Sequence, residues 1–195
     1  ENLGIALSDE HMAIAPPKDV NGLKKDPSLS LYAVPGGTIK GRQVALLVSD
    51  GFRAADVLAI LQELKAHGVH GKLLAAHMGK VRADDGSTLT VDATFSGLPS
   101  LTFDAVIVPD GNIDALLLRG DARYFLLEAY KHLKVIALSG DARRFKTQFG
   151  LADEEQEEGI IEDSKAEGVL MSEFIAALAA HRIWSRSQKA LSVPA

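Results

Sequence analysis

Three runs of consecutive apolar residues, Val44-Ala45-Leu46-Leu47-Val48, Ala105-Val106-Ile107-Val108 and Val135-Ile136-Ala137-Leu138, constrain this chain more than any other feature. A strand that is apolar at every position must be covered on both faces, as a parallel strand is when helices lie above and below it. Each run stops at turn-forming residues: Ser49-Asp50-Gly51, Pro109-Asp110-Gly111 and Ser139-Gly140. Between and after the runs, apolar residues recur at helical spacing. Ala54, Val57, Leu58, Leu61 and Leu64 form one stripe, and Gly68 follows where a left-handed cap would end the helix. Ala122, Phe125, Leu126, Ala129 and Leu133 form a second, with Asp121 as the expected N-cap, and Leu170, Met171, Phe174, Ile175 and Leu178 form a third after Asp163-Ser164.

A further short apolar segment, Gly71–Ala76, predicts the second parallel strand and closes a βαβ unit. Leu89, Val91, Ala93 and Phe95 alternate with polar residues, which predicts one half-exposed strand, and Asp85-Gly86 before it is a hairpin turn signal. Strands alternating with helices in this way specify an α/β fold of the flavodoxin-like kind, a doubly wound parallel sheet with helices on both faces and a small β-hairpin. No internal repeat is visible. Residues 1–40 read as an extended connector arm, because Pro16-Pro17, Asn21-Gly22, Pro27, Pro35 and Gly36-Gly37 interrupt any regular element, and residues 41–195 read as the α/β domain. The first residue is Glu1 and not methionine, so a piece of something longer, or a processed product, is expected.

A net charge of −5 gives no excess of cations for phosphates or an anionic membrane, so neither nucleic acid nor membrane is expected as a partner. There is no cysteine, which excludes disulfides, thiolate nucleophiles and cysteine-type zinc sites and favours the cytoplasm. In such sheets ligands sit beyond the C-terminal ends of the strands, at residues 49–56, 109–112 and 138–143. Gly51 lacks the companions of a dinucleotide or phosphate-loop motif. Ser139 follows a buried strand as a nucleophile elbow would, but Ala137 and Asp141 stand where the flanking glycines belong, and a turn or cap role is favoured. The six histidines (11, 67, 70, 77, 132 and 181) show no paired spacing on a helix face, so no metal site is expected. Residues 153–158, Asp-Glu-Glu-Gln-Glu-Glu, lack the register of a calcium loop and read as a solvated loop, and Trp184 reads as an anchor for the chain end.

Longer strings carry more. Asp19–Tyr32, Ala83–Gly86, Glu128–Lys134, Gly140–Arg143 and Ala180–Arg186, in that order, closely resemble the C-terminal region of large-subunit haem catalases. The resemblance implies a parent enzyme that dismutates hydrogen peroxide with haem, and a homotetramer in which this domain meets the catalase core and neighbouring subunits. No cofactor is expected in this chain: Tyr32, Tyr124 and Tyr130 follow Ser28, Gly120 and Leu126 at the position where the family's haem-binding tyrosine has an arginine. The region in turn resembles the PfpI-type and glutamine amidotransferase-like family, where a cysteine before a glycine forms the elbow. Aligning that glycine with Gly140 places Leu138 at the cysteine, Asp56 near the family's glutamate, and Pro109-Asp110-Gly111 where relatives have Pro-Gly-Gly to supply oxyanion donors. Leucine is no nucleophile, so Asp56, Gly111, Leu138 and Ser139 are expected to form a vestigial corner. The resemblance therefore implies a non-catalytic domain that stabilises an oligomer and binds unfolding proteins. The alternatives are a hydrolase or glyoxalase using Ser139 with Asp56, and a pure subunit-interaction module.

Overall fold

The computed structural model describes residues 37–151, 156–162 and 169–193. The connector expected over residues 1–40 lies outside them apart from its last four residues. The first apolar run is strand β1 (Gln43–Leu47), followed by helix α1 (Ala54–Ala66) and strand β2 (His70–Ala75). β1 and β2 run parallel, with Leu46 opposite Leu73. Gly68, at φ +71°, ends α1 as its spacing predicts: its N–H donates to the Lys65 carbonyl and the Val69 N–H to the Leu64 carbonyl, the paired bonds of a Schellman motif.

The hairpin consists of β3 (Gly79–Arg82) and β4 (Thr88–Val91), antiparallel around the Asp85-Gly86 turn. The single strand expected from Leu89 through Phe95 is divided. After Asp92 the chain leaves the hairpin, and β5 (Ala93–Thr94) joins the main sheet beside β2. Asp92 makes the transfer, because its carboxylate accepts the Leu73 N–H at 2.7 Å while its own N–H donates to the Leu73 carbonyl.

The remaining elements are β6 (Ala105–Val108), α2 (Ile113–Leu117), α3 (Gly120–Lys131), β7 (Val135–Leu138), a run of tight helical turns (Gly140–Phe149), β8 (Ile160–Glu162), α4 (Val169–Ala180) and α5 (Ser187–Ala190). The six-stranded sheet has the order β5-β2-β1-β6-β7-β8, with every pair parallel. Alternate residues of each central strand serve opposite faces. Val44, Leu46, Ala105, Ile107, Val135 and Ala137 belong to one core cluster with Val57, Ile60 and Leu64 of α1 and Phe174 and Leu178 of α4. Ala45, Leu47, Val106, Val108, Ile136 and Leu138 belong to the other, with Phe125, Leu126 and Ala129 of α3. Burying each valine, leucine, isoleucine or phenylalanine among them stabilises the fold by about 1.5–3 kcal/mol, which is why strands apolar on both sides require helices on both sides.

Two local expectations, the Asp121 cap and the solvated acidic stretch, need correction. Asp121 is not the N-cap of α3: the helix begins one residue earlier, and the Asp121 carboxylate instead takes two bonds from Arg119, at 2.9 and 2.8 Å. That pairing holds the Asp121 carboxyl below its usual pKa. Trp184 is half-buried, and the residues beside it also hold the chain end, with the Ile183 N–H on the Leu133 carbonyl and Arg186 Nη2 on the Lys134 carbonyl at 2.6 Å. Of the acidic stretch, residues 153–155 lie outside the described residues. Glu157 is not solvated, since its side chain is 7% exposed and bonds Lys189 at 2.5 Å.

Candidate functional site

The strand order reverses between β1 and β6: the chain winds outward from β1 through β2 to β5, and from β6 through β7 to β8. The crevice of a doubly wound sheet lies beyond the C-terminal ends of the strands at that switch point. Three loops meet there. Ser49 Oγ donates to the Asn112 carbonyl at 2.7 Å, and the Asn112 N–H donates to the Gly51 carbonyl at 3.2 Å, which ties the loop after β1 to the loop after β6. The hairpin closes the same corner: Gly51 N–H donates to the Arg82 carbonyl, Arg82 N–H to Asp50, and Asp84 Oδ1 accepts the Ala54 N–H at 3.1 Å, capping α1 from a distant loop.

At the centre stands Asp110. Its Oδ1 accepts two backbone donors, the Gly111 N–H at 3.0 Å and the Asp141 N–H at 3.3 Å. Its Oδ2 receives Arg53 Nη2 at 2.8 Å, and its carbonyl accepts the Arg53 N–H. Backbone N–H groups converging on one oxygen are the means by which acyl-transfer sites hold an oxyanion. Here a carboxylate of the chain itself occupies that place, already paired with a guanidinium. Gly140 makes room for the carboxylate, and Gly111 lets the loop after β1 pass close by. A Cβ on Gly140, at φ +55°, would stand 2.4 Å from Asp110 Cγ, and a Cβ on Gly111, at φ +146°, would stand 2.6 Å from Phe52 Cα.

The four residues singled out from the sequence are distributed around this carboxylate. Gly111 supplies one of its donors. Leu138 is the last residue of β7 and is fully buried, in the core cluster that also holds Ile113, Ala142 and Phe145. Ser139 is 7% exposed and extended, with its N–H on the Val108 carbonyl and its own carbonyl accepting the Ala142 N–H, so its backbone acts as a strand end and turn start. Asp56 sits in the first turn of α1 and pairs with Arg53 Nη1 at 3.5 Å. The residue in the left-handed conformation at this strand-to-helix turn is therefore Gly140, which has no side chain to present. Of the histidines, His67, His132 and His181 face Glu63, Glu128 and Asp104, and among the described residues no group of three or more metal-ligating side chains occurs. Arg53, Asp84 and Asp110 were not foreseen as a unit. The one signal was Pro109-Asp110-Gly111, where an aspartate replaces a glycine of the resembled motif.

The profile of the family described as the C-terminal domain found in long catalases matches residues 40–188. The chain belongs to that family. This catalase C-terminal domain is 39% identical over 178 residues to catalase HPII of Pseudomonas putida, covering 89% of this chain and 24% of that protein. It is 35% identical over 196 residues to catalase HPII of Pseudomonas aeruginosa, covering 100% of this chain and 26% of that one. The chain thus spans about a quarter of the length of these relatives. Among solved structures, oxidized DJ-1 of Toxoplasma gondii shares the fold at a TM-score of 0.57 and 15% identity, over 78% of this chain and 96% of that one. The DJ-1/ThiJ/PfpI-like and ferritin-like two-domain protein of Anabaena variabilis gives a TM-score of 0.52 at 22% identity, over 54% of this chain and 31% of that one. Both likenesses speak for the fold alone.

Neither described tyrosine of the domain fits haem ligation. Tyr124 is exposed on the surface of α3, and Tyr130 is fully buried with its ring against Phe149 and the Arg186 guanidinium.

Proposed function

We propose that this chain is the non-catalytic C-terminal domain of a large cytoplasmic catalase whose haem-bearing core dismutates hydrogen peroxide, and that it acts through surfaces and not through bond-making. Its partners are then the catalase core and neighbouring subunits of a homotetramer, whose assembly it stabilises, and unfolding client proteins. The observation that carries the reading is the Asp110 carboxylate, which takes up the two backbone donors and the arginine that an acyl-transfer reaction would need, while Leu138 lies in the core. Asp56, the partner that a Ser139 nucleophile would require, is engaged with Arg53. The interaction side of the reading rests on exposed apolar residues. Leu101 and Tyr124, 64% and 59% exposed, border a hollow of about 380 Å³ floored by Phe95 and Phe125.

An aggregation assay tests both parts. The chain, mixed in equal molar amount with a heat-stressed client protein, is expected to reduce light scattering. The same chain, incubated with haem and then freed of unbound haem by gel filtration, is expected to retain no Soret band and to decompose no peroxide. Unchanged scattering would remove the chaperone role and leave the interface role standing, whereas a Soret band accompanied by peroxide decomposition would overturn the division of labour. Peptidase or methylglyoxal-consuming activity that disappears in Ser139→Ala would revive the enzyme reading.

A further inference from the structure

The edge of the sheet opposite the switch point gathers positive charge that its one carboxylate does not balance. Four segments meet at the N-terminal ends of the central strands: Arg42 stands just before β1, Asp104 just before β6, Lys134 just before β7, and His181 and Arg182 just after α4. Asp104 ties them together, since its Oδ2 accepts the Gln43 N–H at 2.9 Å and its Oδ1 lies 3.7 Å from His181 Nδ1. Arg42 Nη1 donates to the Leu178 carbonyl, Arg182 Nη1 to the His181 carbonyl at 2.9 Å, and Nζ of the fully buried Lys134 to the Ser100 carbonyl. Three cations thus share one carboxylate. The chain as a whole is acidic, at −5, so this excess is local.

Helix capping accounts for little of it. Cations at a helix C-terminus complement its last carbonyls, but that engages one N–H of each arginine here, and a guanidinium carries five. Arg42 and Arg182 are both half-buried, and neither has a carboxylate within ion-pair distance among the described residues. The crowding marks every group in the cluster. Burial and the Arg42 charge hold Arg182 below its usual range against the pull of Asp104, burial with Arg182 and Arg42 lowers His181, and burial with Arg182 brings the Lys134 ammonium down to about 8. His181 also holds a φ of +68°, a strained conformation for a residue with a side chain and one that collects at ligand sites.

The amount of charge selects the ligand. Three cations less one carboxylate leave an excess of about two, which a monocarboxylate would only halve and a phosphate dianion would cancel. Guanidinium groups suit phosphoryl oxygens because they present paired N–H donors.

We propose that Arg42 and Arg182, at the N-terminal edge of the sheet, bind the doubly charged phosphoryl group of a small soluble phosphate, with the buried Lys134 adding its charge and His181 at the rim. The site is independent of the switch-point corner and of the domain's proposed surface role.

Amide resonances of the 195-residue chain, followed during titration with inorganic phosphate at about pH 7.5, where the dianion dominates, test it. Those of Arg42, His181 and Arg182 are expected to move together and to saturate with a dissociation constant on the order of a millimolar. Glycerol phosphate in a second titration distinguishes the two sources of such a group: tighter binding than inorganic phosphate assigns the site to an ester, and equal or weaker binding to free phosphate. Acetate is expected to bind at least about tenfold more weakly than phosphate. Arg182→Gln should weaken phosphate about tenfold, and Arg182→Lys, which keeps the charge and loses the paired donors, should fall between it and the parent. Asp104→Asn keeps an acceptor for the Gln43 N–H and removes the opposing charge, so it should tighten phosphate several-fold. Absence of saturation by about 20 mM phosphate, shifts scattered over the chain instead of gathered at these residues, acetate binding as tightly, or parent-like affinity in Arg182→Gln would each overturn the proposal.

Discussion

Gly111→Ala is expected to destabilise the chain by about 3–5 kcal/mol, adding the strain of a non-glycine residue in this conformation to a collision with backbone. The added Cβ would stand 2.6 Å from Phe52 Cα and 2.9 Å from the Gly51 carbonyl oxygen. Those atoms cannot rotate away as a side chain could, and the same loop is held by the Gly51–Asn112 bond. For a chain of this size the melting temperature should fall by roughly 10 °C. Gly86→Ala is the control. Gly86 also has a positive φ, of +85°, but nothing lies within 4 Å of its would-be Cβ, so only the conformational part, about 1–2 kcal/mol, should appear. Equal losses in urea unfolding of the two variants would mean that the β1 and β6 loops do not pack as described.

Leu138→Ala is expected to lower stability by about 3 kcal/mol, within the range for emptying a buried leucine site. Leu138 is 0% exposed and sits among apolar side chains from β6, α2 and the turns after β7, where collapse around the missing atoms is limited. Leu138→Cys sharpens the same point. A thiol at this position should be inert in the folded chain, because burial in apolar surroundings disfavours the thiolate, and should react with a thiol reagent only as urea unfolds the protein. Rapid labelling under native conditions would show that position 138 faces the crevice and not the core.

Much of the fold was readable because it follows from periodicity. A run such as Val135–Leu138, apolar at every position, has only one economical environment, and the stripes of α1, α3 and α4 supply the covering it needs. What escaped was short or long-range. β5 and β8 have two and three residues, too few to show a period, and their place is set by partners such as Leu74 and Ala137. Asp92 reads as one polar position in an alternating strand, yet its two bonds to Leu73 divide that strand between two sheets. The corner escaped for the same reason. Leu138, Ser139 and Gly111 could be named from the sequence as parts of the corner, but Asp110 entered only as the middle of the Pro109-Asp110-Gly111 turn, with no partner assigned to its carboxylate. Its role depends on Arg53 and on Asp141, which lies 31 residues away and is brought near only because β6 and β7 are neighbours in the sheet.

The central claim, that Asp110 fills an anion site which the backbone would otherwise offer to a ligand, is tested most directly by following the Gly111 and Asp141 amide resonances during titration with acetate. In the parent chain both should remain unmoved, because the carboxylate already holds them. In Asp110→Ala both should shift together and saturate as acetate takes the vacated position beside Arg53. Amides of the parent that respond to acetate, or amides of Asp110→Ala that do not, would contradict the account.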